Sequence, residues 1–410
     1  MAHLGSVETM KSFRRADGSP VHEGRDRGRE SMEEIMRKRK WLVLLAVLAM
    51  TVAACGDGDD VAEPDAGDTD TTEAPAELTP VKVQLQWFAQ AQFAGYYAAV
   101  AEGFYEEEGL DVTILEGAVD IVPQQVVATG GAEFGLAWVP KALVSNTEGA
   151  GLVNVAQIFQ RSGTLMVSWA DSGITSPEDW AGKTVGNWGF GNEYELTAAI
   201  EAFDVQDVNL VAQNFDMEGL LSRDLDAAEA MIYNEYAQVL EAVNPDTGEL
   251  YQPEDLTVID FNDVGTAMLQ DSVWVTEDYA ANNGDVIEAF LRGTFKGWIF
   301  CRDNPQDCVD HVLAAGPTLG GSHQLWQMNE INGLIWPSPG GIGVMNGDLW
   351  TQTVDVATTQ IPELQGVDIP EGSYTTEYAE AAVAALNAEG LDTVGSGWER
   401  LVVELNEGGE

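Results

Sequence analysis

The chain has 410 residues, and its 68 Asp+Glu against 19 Lys+Arg give a formal net charge of −49. That balance excludes a nucleic-acid binder, which needs cations to displace counterions from phosphates, and it disfavours docking on anionic lipid headgroups. A 45% hydrophobic content with 12 Trp excludes a disordered acidic chain. At about 100–200 residues per domain it allows one large bilobal unit or two to three domains.

Arg37-Lys-Arg-Lys40 precedes an almost wholly apolar stretch, Trp41 to Ala54, which ends in Val52-Ala53-Ala54-Cys55. A basic start, a short apolar core and small residues before a cut site mark a secretory signal. The stretch is too short to span roughly 30 Å of hydrocarbon comfortably. The small-small-Cys ending resembles the lipobox of bacterial lipoproteins, which implies that Cys55 is acylated and becomes the first mature residue; the alternative is a plain cleaved signal. Met36 suffices to start such a signal, so residues 1–35 read as an upstream extension of the reading frame. Ten of the 19 basic and seven of the 68 acidic residues lie in 1–54, leaving nine against 61 in the rest. Such a surface suits an extracytoplasmic protein, with salt screening its self-repulsion. Residues 55–80 are Gly, Asp, Thr, Ala, Pro and Glu in the main and read as a flexible tether.

From Val81 short apolar strands alternate with amphipathic helices. Val81–Trp87 alternates with period two and predicts a strand. A helix is expected over Phe93–Glu107, stopped by Gly109. Strands follow at 111–115, 134–138, 153–159, 165–168, 183–186, 208–211 and 228–233, with helices at 121–129, 194–202 and 217–222. Ser176-Pro177-Glu178-Asp179 reads as a helix start. A strand at 272–276 precedes mostly helices from Asp285 to the C-terminus. This alternation predicts an α/β fold with doubly wound, parallel sheets. One α/β segment inserted in another predicts two lobes with a cleft at the carboxyl ends of the strands.

The motifs Leu85-Gln-Trp87, Phe93-Ala-Gly-Tyr-Tyr-Ala98, Ala101-Glu-Gly-Phe-Tyr-Glu-Glu-Glu-Gly-Leu-Asp-Val112 and Phe134-Gly-Leu-Ala-Trp138 resemble the binding proteins for thiamine pyrimidine precursors. The wider family takes in the sulfonate, taurine, nitrate and riboflavin binders of ABC importers. Gly182-Lys-Thr-Val-Gly186, Phe215-Asp-Met-Glu-Gly-Leu-Leu221 and Asp226-Ala-Ala-Glu-Ala-Met231-Ile-Tyr-Asn-Glu235 continue the resemblance, which covers roughly 81–320. It implies a two-lobed periplasmic-binding-protein type II fold that closes on its ligand. Lobe one is expected over 81–168 and 267–345, lobe two over 169–266, with 346–410 as helices packing on lobe one. It further implies a monomer without cofactor, working with an ABC permease and ATPase and tethered outside the cytoplasm.

Candidate ligand contacts are the aromatic and amide residues at strand ends. Trp87, Trp138 and Trp188 offer stacking faces for a flat heterocycle, or else pack in the core. Glu235 follows an apolar strand; it accepts N–H groups of an aminopyrimidine, as the resemblance implies for a glutamate there, or it caps the next helix. Tyr233 shares its face if the strand continues. Gln90 and Tyr96 come with the opening motifs. The loop Asn187-Trp-Gly-Phe-Gly-Asn192 resembles one that holds the anion in sulfonate and nitrate binders, with Gly189 and Asn192 as contacts; its glycines alternatively serve positive φ. Gln160 ends a strand beside Arg161, which either meets a ligand anion or pairs with an acid. Ser322–Asn332 reads as an amphipathic helix on lobe one, or as a late rim of the pocket.

Cys301 and Cys308 flank an Asn304-Pro305 turn. With Cys55 acylated, two cysteines remain in an oxidising compartment, so a disulfide is expected; the alternative is two buried thiols. Their spacing matches no zinc site. No nucleophile or zinc-hydrolase motif is present. The resemblance extends to single-use synthases of the thiamine pyrimidine, but their Cys-rich motif is absent here, which argues against an enzyme. The expected ligand is formylaminopyrimidine or hydroxymethylpyrimidine. The alternatives are riboflavin, a sulfonate-like anion, or a sensor role at a membrane receptor.

Overall fold

A computed structural model describes residues 77–410. The signal, Cys55 and nearly all of the tether lie outside the described residues. Ten strands form two five-stranded sheets. They are β1 Thr79–Gln84, β2 Leu110–Leu115, β3 Phe134–Ala137, β4 Leu152–Gln157, β5 Thr164–Trp169, β6 Thr184–Asn187, β7 Asn209–Ala212, β8 Ala227–Met231, β9 Leu256–Asp260 and β10 Ser272–Thr276. The first sheet runs β2-β1-β3-β10-β4 and the second β7-β6-β8-β5-β9.

The sheets are mixed, which corrects the expectation of parallel strands throughout. β10 is antiparallel to β3 and β4, and β5 is antiparallel to β8 and β9. The reason is the chain's path. It leaves the first sheet after β4, enters the second as β5, and returns after β9 as β10. Each crossing strand inserts against the direction of its new sheet, in the fourth position of both. β5 therefore belongs to the second sheet, so the first crossing falls at 158–163, not at 168 as the sequence suggested.

Local sequence explains the elements. In β1, Val81 and Val83 are buried while Lys82 is exposed, the alternation expected of a strand with one covered face. β4, β5 and β8 are buried throughout, as sheets covered on both faces require. The helix expected over 93–107 is broken: Gly103 takes a left-handed φ of 77° between Ala94–Ala101 and Phe104–Glu107. The helix Gly284–Asp303 lies across Ala94–Ala101 so closely that a Cβ on Gly297 would stand 2.0 Å from the Gly95 carbonyl oxygen. Cys301 and Cys308 are joined by a disulfide with Cα atoms 5.3 Å apart, tying that helix to Pro305–Ala315.

The C-terminal segment touches both lobes, not the first alone. Glu377–Ala388 packs on Gly284–Asp303, and it also covers β4, an edge strand. Gly347–Gln360 lies against both Val139–Thr147 of the first lobe and Tyr194–Ala202 of the second. The Gly408 N–H donates to the Glu241 carbonyl in the second lobe at 3.1 Å. Beyond Ala388 the chain is largely irregular.

The two crossings meet at a buried polar cluster. The Glu195 carboxyl accepts the Met268 N–H and the Ser162 hydroxyl, both at 2.7 Å. The Gln270 amide donates to Ser162 Oγ and Thr164 Oγ1, and its oxygen accepts the Gly163 N–H. Residues 162–164 and 268–270 are thus stapled together beside Glu195, which sits in the first turn of the helix Tyr194–Ala202.

Candidate functional site

A cleft of about 390 Å³ opens between the sheets. Its walls are built from residues that follow strand carboxyl ends: Gln86 and Trp87 after β1, Trp138 and Lys141 after β3, Trp188 and Asn192 after β6, Tyr233 to Glu235 after β8. This is where an open α/β sheet presents its ligand contacts. The volume falls in the range of about 300–1,000 Å³ usual for sites holding drug-sized molecules.

The aromatic wall comes from both lobes. Trp87 is half-buried, and Gly117 fixes its backbone: the Gly117 N–H donates to the Trp87 carbonyl at 2.9 Å. A Cβ on Gly117 would stand 2.4 Å from Trp87 N, so only glycine fits. The ring of Trp87 meets Phe215 of the second lobe with centroids 4.8 Å apart, and Phe215 in turn stacks at 6.1 Å on Trp188. Trp188 is held by its indole N–H donating to the Asn214 carbonyl and its backbone N–H donating to Glu229. Phe190 lines the cleft while 79% exposed, at a φ of 59° that non-glycine residues seldom adopt.

Beneath the wall lies Asp271, buried and absent from the sequence expectations. It accepts from the side-chain amides of Gln86 at 2.6 Å and Gln92 at 2.9 Å, and from the Trp138 indole N–H at 2.9 Å. Burial pushes its carboxyl up to about 6. The hydrogen bonds continue from Gln92 to Gln90, Gln327 and Asn234. His323 joins Asn234 to Glu241 at the far end. The helix Gly321–Ile335 packs on the first lobe, as one of the two sequence readings had it, with Met328, Ile331 and Ile335 in the core, and it backs the site through Gln327 and His323 without lining the cleft.

Among the expected contacts, Trp87, Gln90, Trp138, Trp188, Asn192, Tyr233 and Glu235 all line the cleft. Three do not. Tyr96 is a core residue, 2% exposed and edge-on to Trp298, because the helix carrying it is sandwiched against Gly284–Asp303. Gln160 is buried in the first crossing, its amide donating to the Gln157 carbonyl and its backbone N–H to the Leu334 carbonyl. Gly189 is set apart from the wall, and its carbonyl accepts both the backbone and side-chain N–H of Asn192.

Glu235 is engaged by its own turn. β8 stops at Met231, and Glu235 opens the helix Glu235–Leu240. One carboxylate oxygen accepts the Met231 N–H at 3.0 Å and the other the Asn234 amide at 2.7 Å. Helix capping is not the role seen: Asn234 is the N-cap, the helix start has no side-chain cap bond, and the Glu235 carboxylate ties the end of β8 to the turn while lining the cleft. Among the described residues Arg161 meets no acid and does not line the cleft; it donates to the Gly333, Leu334 and Trp336 carbonyls at the end of Gly321–Ile335. In the 187–192 loop the Trp188 N–H donates to Glu229, the Gly191 N–H to Glu193 and the Asn192 N–H to the Gly189 carbonyl, while the Gly189 and Phe190 N–H groups have no acceptor among the described residues.

Of the cleft residues that the sequence reading did not name as contacts, two polar ones stand out. Lys141 donates to Asn192 Oδ1 across the cleft at 2.6 Å and lies 4.7 Å from the Trp138 ring centroid. Burial lowers its ammonium to about 8. Gln124 is 5% exposed, and its Oε1 has no hydrogen-bond partner among the described residues. A single polar residue one turn into a helix carries no signal in the sequence; only the cleft gives these two meaning.

Residues 90–308, more than half of the chain, match the family model described as NMT1/THI5 like. The chain belongs to that family. Its relatives include a formylaminopyrimidine-binding protein of Halalkalibacterium halodurans, 27% identical over 250 residues, covering 60% of this chain and 73% of the relative. The riboflavin-binding protein RibY of Chloroflexus aurantiacus is 25% identical over 343 residues, covering 78% and 92%. A 4-amino-5-hydroxymethyl-2-methylpyrimidine phosphate synthase of Legionella pneumophila is 21% identical over 241 residues, covering 58% and 74%. Among solved structures, the periplasmic aliphatic sulphonate binding protein SsuA of Escherichia coli superposes with a TM-score of 0.54 at 13% identity, covering 79% of this chain and 94% of that one. The family fold is thus the type II periplasmic-binding-protein fold, two mixed sheets flanked by helices.

Proposed function

We propose that the chain is the solute-binding component of an ABC importer, capturing a flat, uncharged nitrogen heterocycle by closure of its two lobes. The observation that carries this is the convergence of Trp87 and Trp138 from the first lobe and Trp188 from the second on one cleft. Stacking between such rings and a heteroaromatic contributes about 0.5–1.5 kcal/mol beyond area burial. An anionic cargo fits less well. Among the described residues Lys141 is the one lysine or arginine in the wall, the Trp188, Gly191 and Asn192 N–H groups are engaged, and Asp271, Glu229 and Glu235 lie buried around the cleft.

The two heterocycles in view are a thiamine pyrimidine precursor and a flavin. The size of the cleft supports the larger. We read the chain as a binder although the family holds synthases: its two described cysteines are tied in a disulfide outside the cleft wall. Anchoring through a lipid on Cys55 completes the proposal, and mass spectrometry of the native N-terminus tests it.

A thermal-shift panel of riboflavin, formylaminopyrimidine, hydroxymethylpyrimidine and taurine tests the ligand class. A true ligand at about 100 times its Kd adds about 2.7 kcal/mol of stability. Stabilisation by taurine alone would contradict the reading.

A further inference from the structure

We infer that Gln124 and Lys141 read a paired hydrogen-bond donor and acceptor on the ligand's edge: Gln124 Oε1 accepts a ligand N–H, and Lys141 Nζ donates to the ring nitrogen or carbonyl beside it. The inference rests on the proposed function and narrows its ligand class.

Both residues belong to the first lobe, on the helices Pro123–Ala128 and Val139–Thr147, which pack against each other. Both line the cleft. Gln124 is the sharper observation. Its side chain is buried, and its oxygen faces no donor among the described residues. A buried amide oxygen without a donor is costly, and a site that leaves one in its wall is complementary to a ligand that supplies the donor. Lys141 is the only lysine or arginine in that wall. An ammonium has three N–H groups, and the described residues accept one of them, through Asn192 Oδ1. No carboxylate of the described residues lies within ion-pairing distance of it, although acids outnumber bases several-fold in this chain.

The surrounding charge decides what kind of acceptor Lys141 meets. Burial pushes the Glu229 carboxyl up to about 8 and leaves it largely neutral, while Glu193 and Asp271 act on Lys141 electrostatically from nearby. Their field opposes a full anion in the cleft and leaves a neutral carbonyl or ring nitrogen as the fitting acceptor. An N–H beside such an acceptor is what the ring edge of a flavin or an aminopyrimidine offers. A sulfonate or a nitrate has no donor for Gln124. Each Glu235 oxygen already accepts one bond from its own turn, whereas Gln124 Oε1 accepts none, which makes Gln124 the more open acceptor for a ligand N–H.

The test is calorimetric titration of the 55–410 protein with riboflavin and with formylaminopyrimidine. It is run on the wild type, Gln124→Leu and Lys141→Met, and repeated with each heterocycle methylated at its edge N–H. Whichever heterocycle binds the wild type should bind each variant about 10- to 100-fold more weakly. Its methylated form should bind the wild type with a similar loss, and that arm needs no variant to fold. The methylated form should lose nothing further in Gln124→Leu. Unchanged affinity in the variants, or for the methylated ligand, overturns the inference and leaves the functional reading standing. Failure of the wild type to bind either heterocycle overturns both.

Discussion

Glu195 offers the sharpest test of how the two lobes are joined. Its carboxyl is buried, and burial pushes it up to about 8, so at pH 7 it is largely a neutral acid. It accepts the Met268 N–H and the Ser162 hydroxyl, one from each crossing. Glu195→Ala would leave both donors buried and unpaired, at about 1–3 kcal/mol each, so a loss of about 2–6 kcal/mol is expected. Glu195→Gln fills the same space, keeps the acceptor for Met268 and disturbs only the Ser162 bond, for a loss of about 0.5–1.5 kcal/mol. Urea unfolding of the 55–410 protein measures both. The pH profile adds a second reading. A carboxyl with a folded pKa above its unfolded value binds its proton more tightly in the native state. Between roughly pH 4.3 and 8 the native chain holds more protons, so stability falls as pH rises, by at most about 1.4 kcal/mol per pH unit for this group. Asp271, raised to about 6, and Glu229, raised to about 8, act in the same direction. Wild-type stability should therefore decline from pH 5 to 8, and Glu195→Gln should flatten the decline without abolishing it. Equal losses in the two variants, or a wild-type profile that rises over that range, would refute this account of the hinge.

Three further outcomes are expected. Replacing Cys301 and Cys308 together by Ser opens a loop of about eight residues and should cost about 2.5 kcal/mol by the chain-entropy relation, read by urea denaturation. Trp87→Ala removes a half-buried stacking face and should weaken heterocycle binding about 5- to 30-fold with little change in apo stability, read by calorimetry. Glu235→Ala should lower stability by about 1–3 kcal/mol, because the Met231 N–H loses its acceptor; an unchanged unfolding midpoint would refute it.

The sequence carried the sheets well where period two or an apolar run was unbroken, as in β1 and β4. It also carried the strand-end tryptophans, since a large ring just past a strand has few places to go but the cleft. It missed β9, whose pattern of buried and exposed residues is irregular, and it misassigned β5. Nothing in Thr164–Trp169 says which sheet it joins; that depends on the crossing, a long-range matter of pairing. Tyr96 was misread for a similar reason. Its motif sits beside the cleft in sequence, but the close approach of Gly95 and Gly297 turns its helix into the core. Asp271, Gln124 and Lys141 were invisible because their roles come from neighbours distant in the chain. Asp271 takes its three donors from Gln86, Gln92 and Trp138, all more than a hundred residues away.

A crystal structure of the 55–410 protein with its heterocycle, at saturating riboflavin or formylaminopyrimidine, tests the central claim most directly. The account predicts one ligand between the two sheets, its ring plane against the indoles of Trp87, Trp138 or Trp188, and an edge N–H within hydrogen-bond distance of Gln124 Oε1. A heterocycle bound outside that cleft, or a cleft that admits only an anion held by the 187–192 loop, would contradict it.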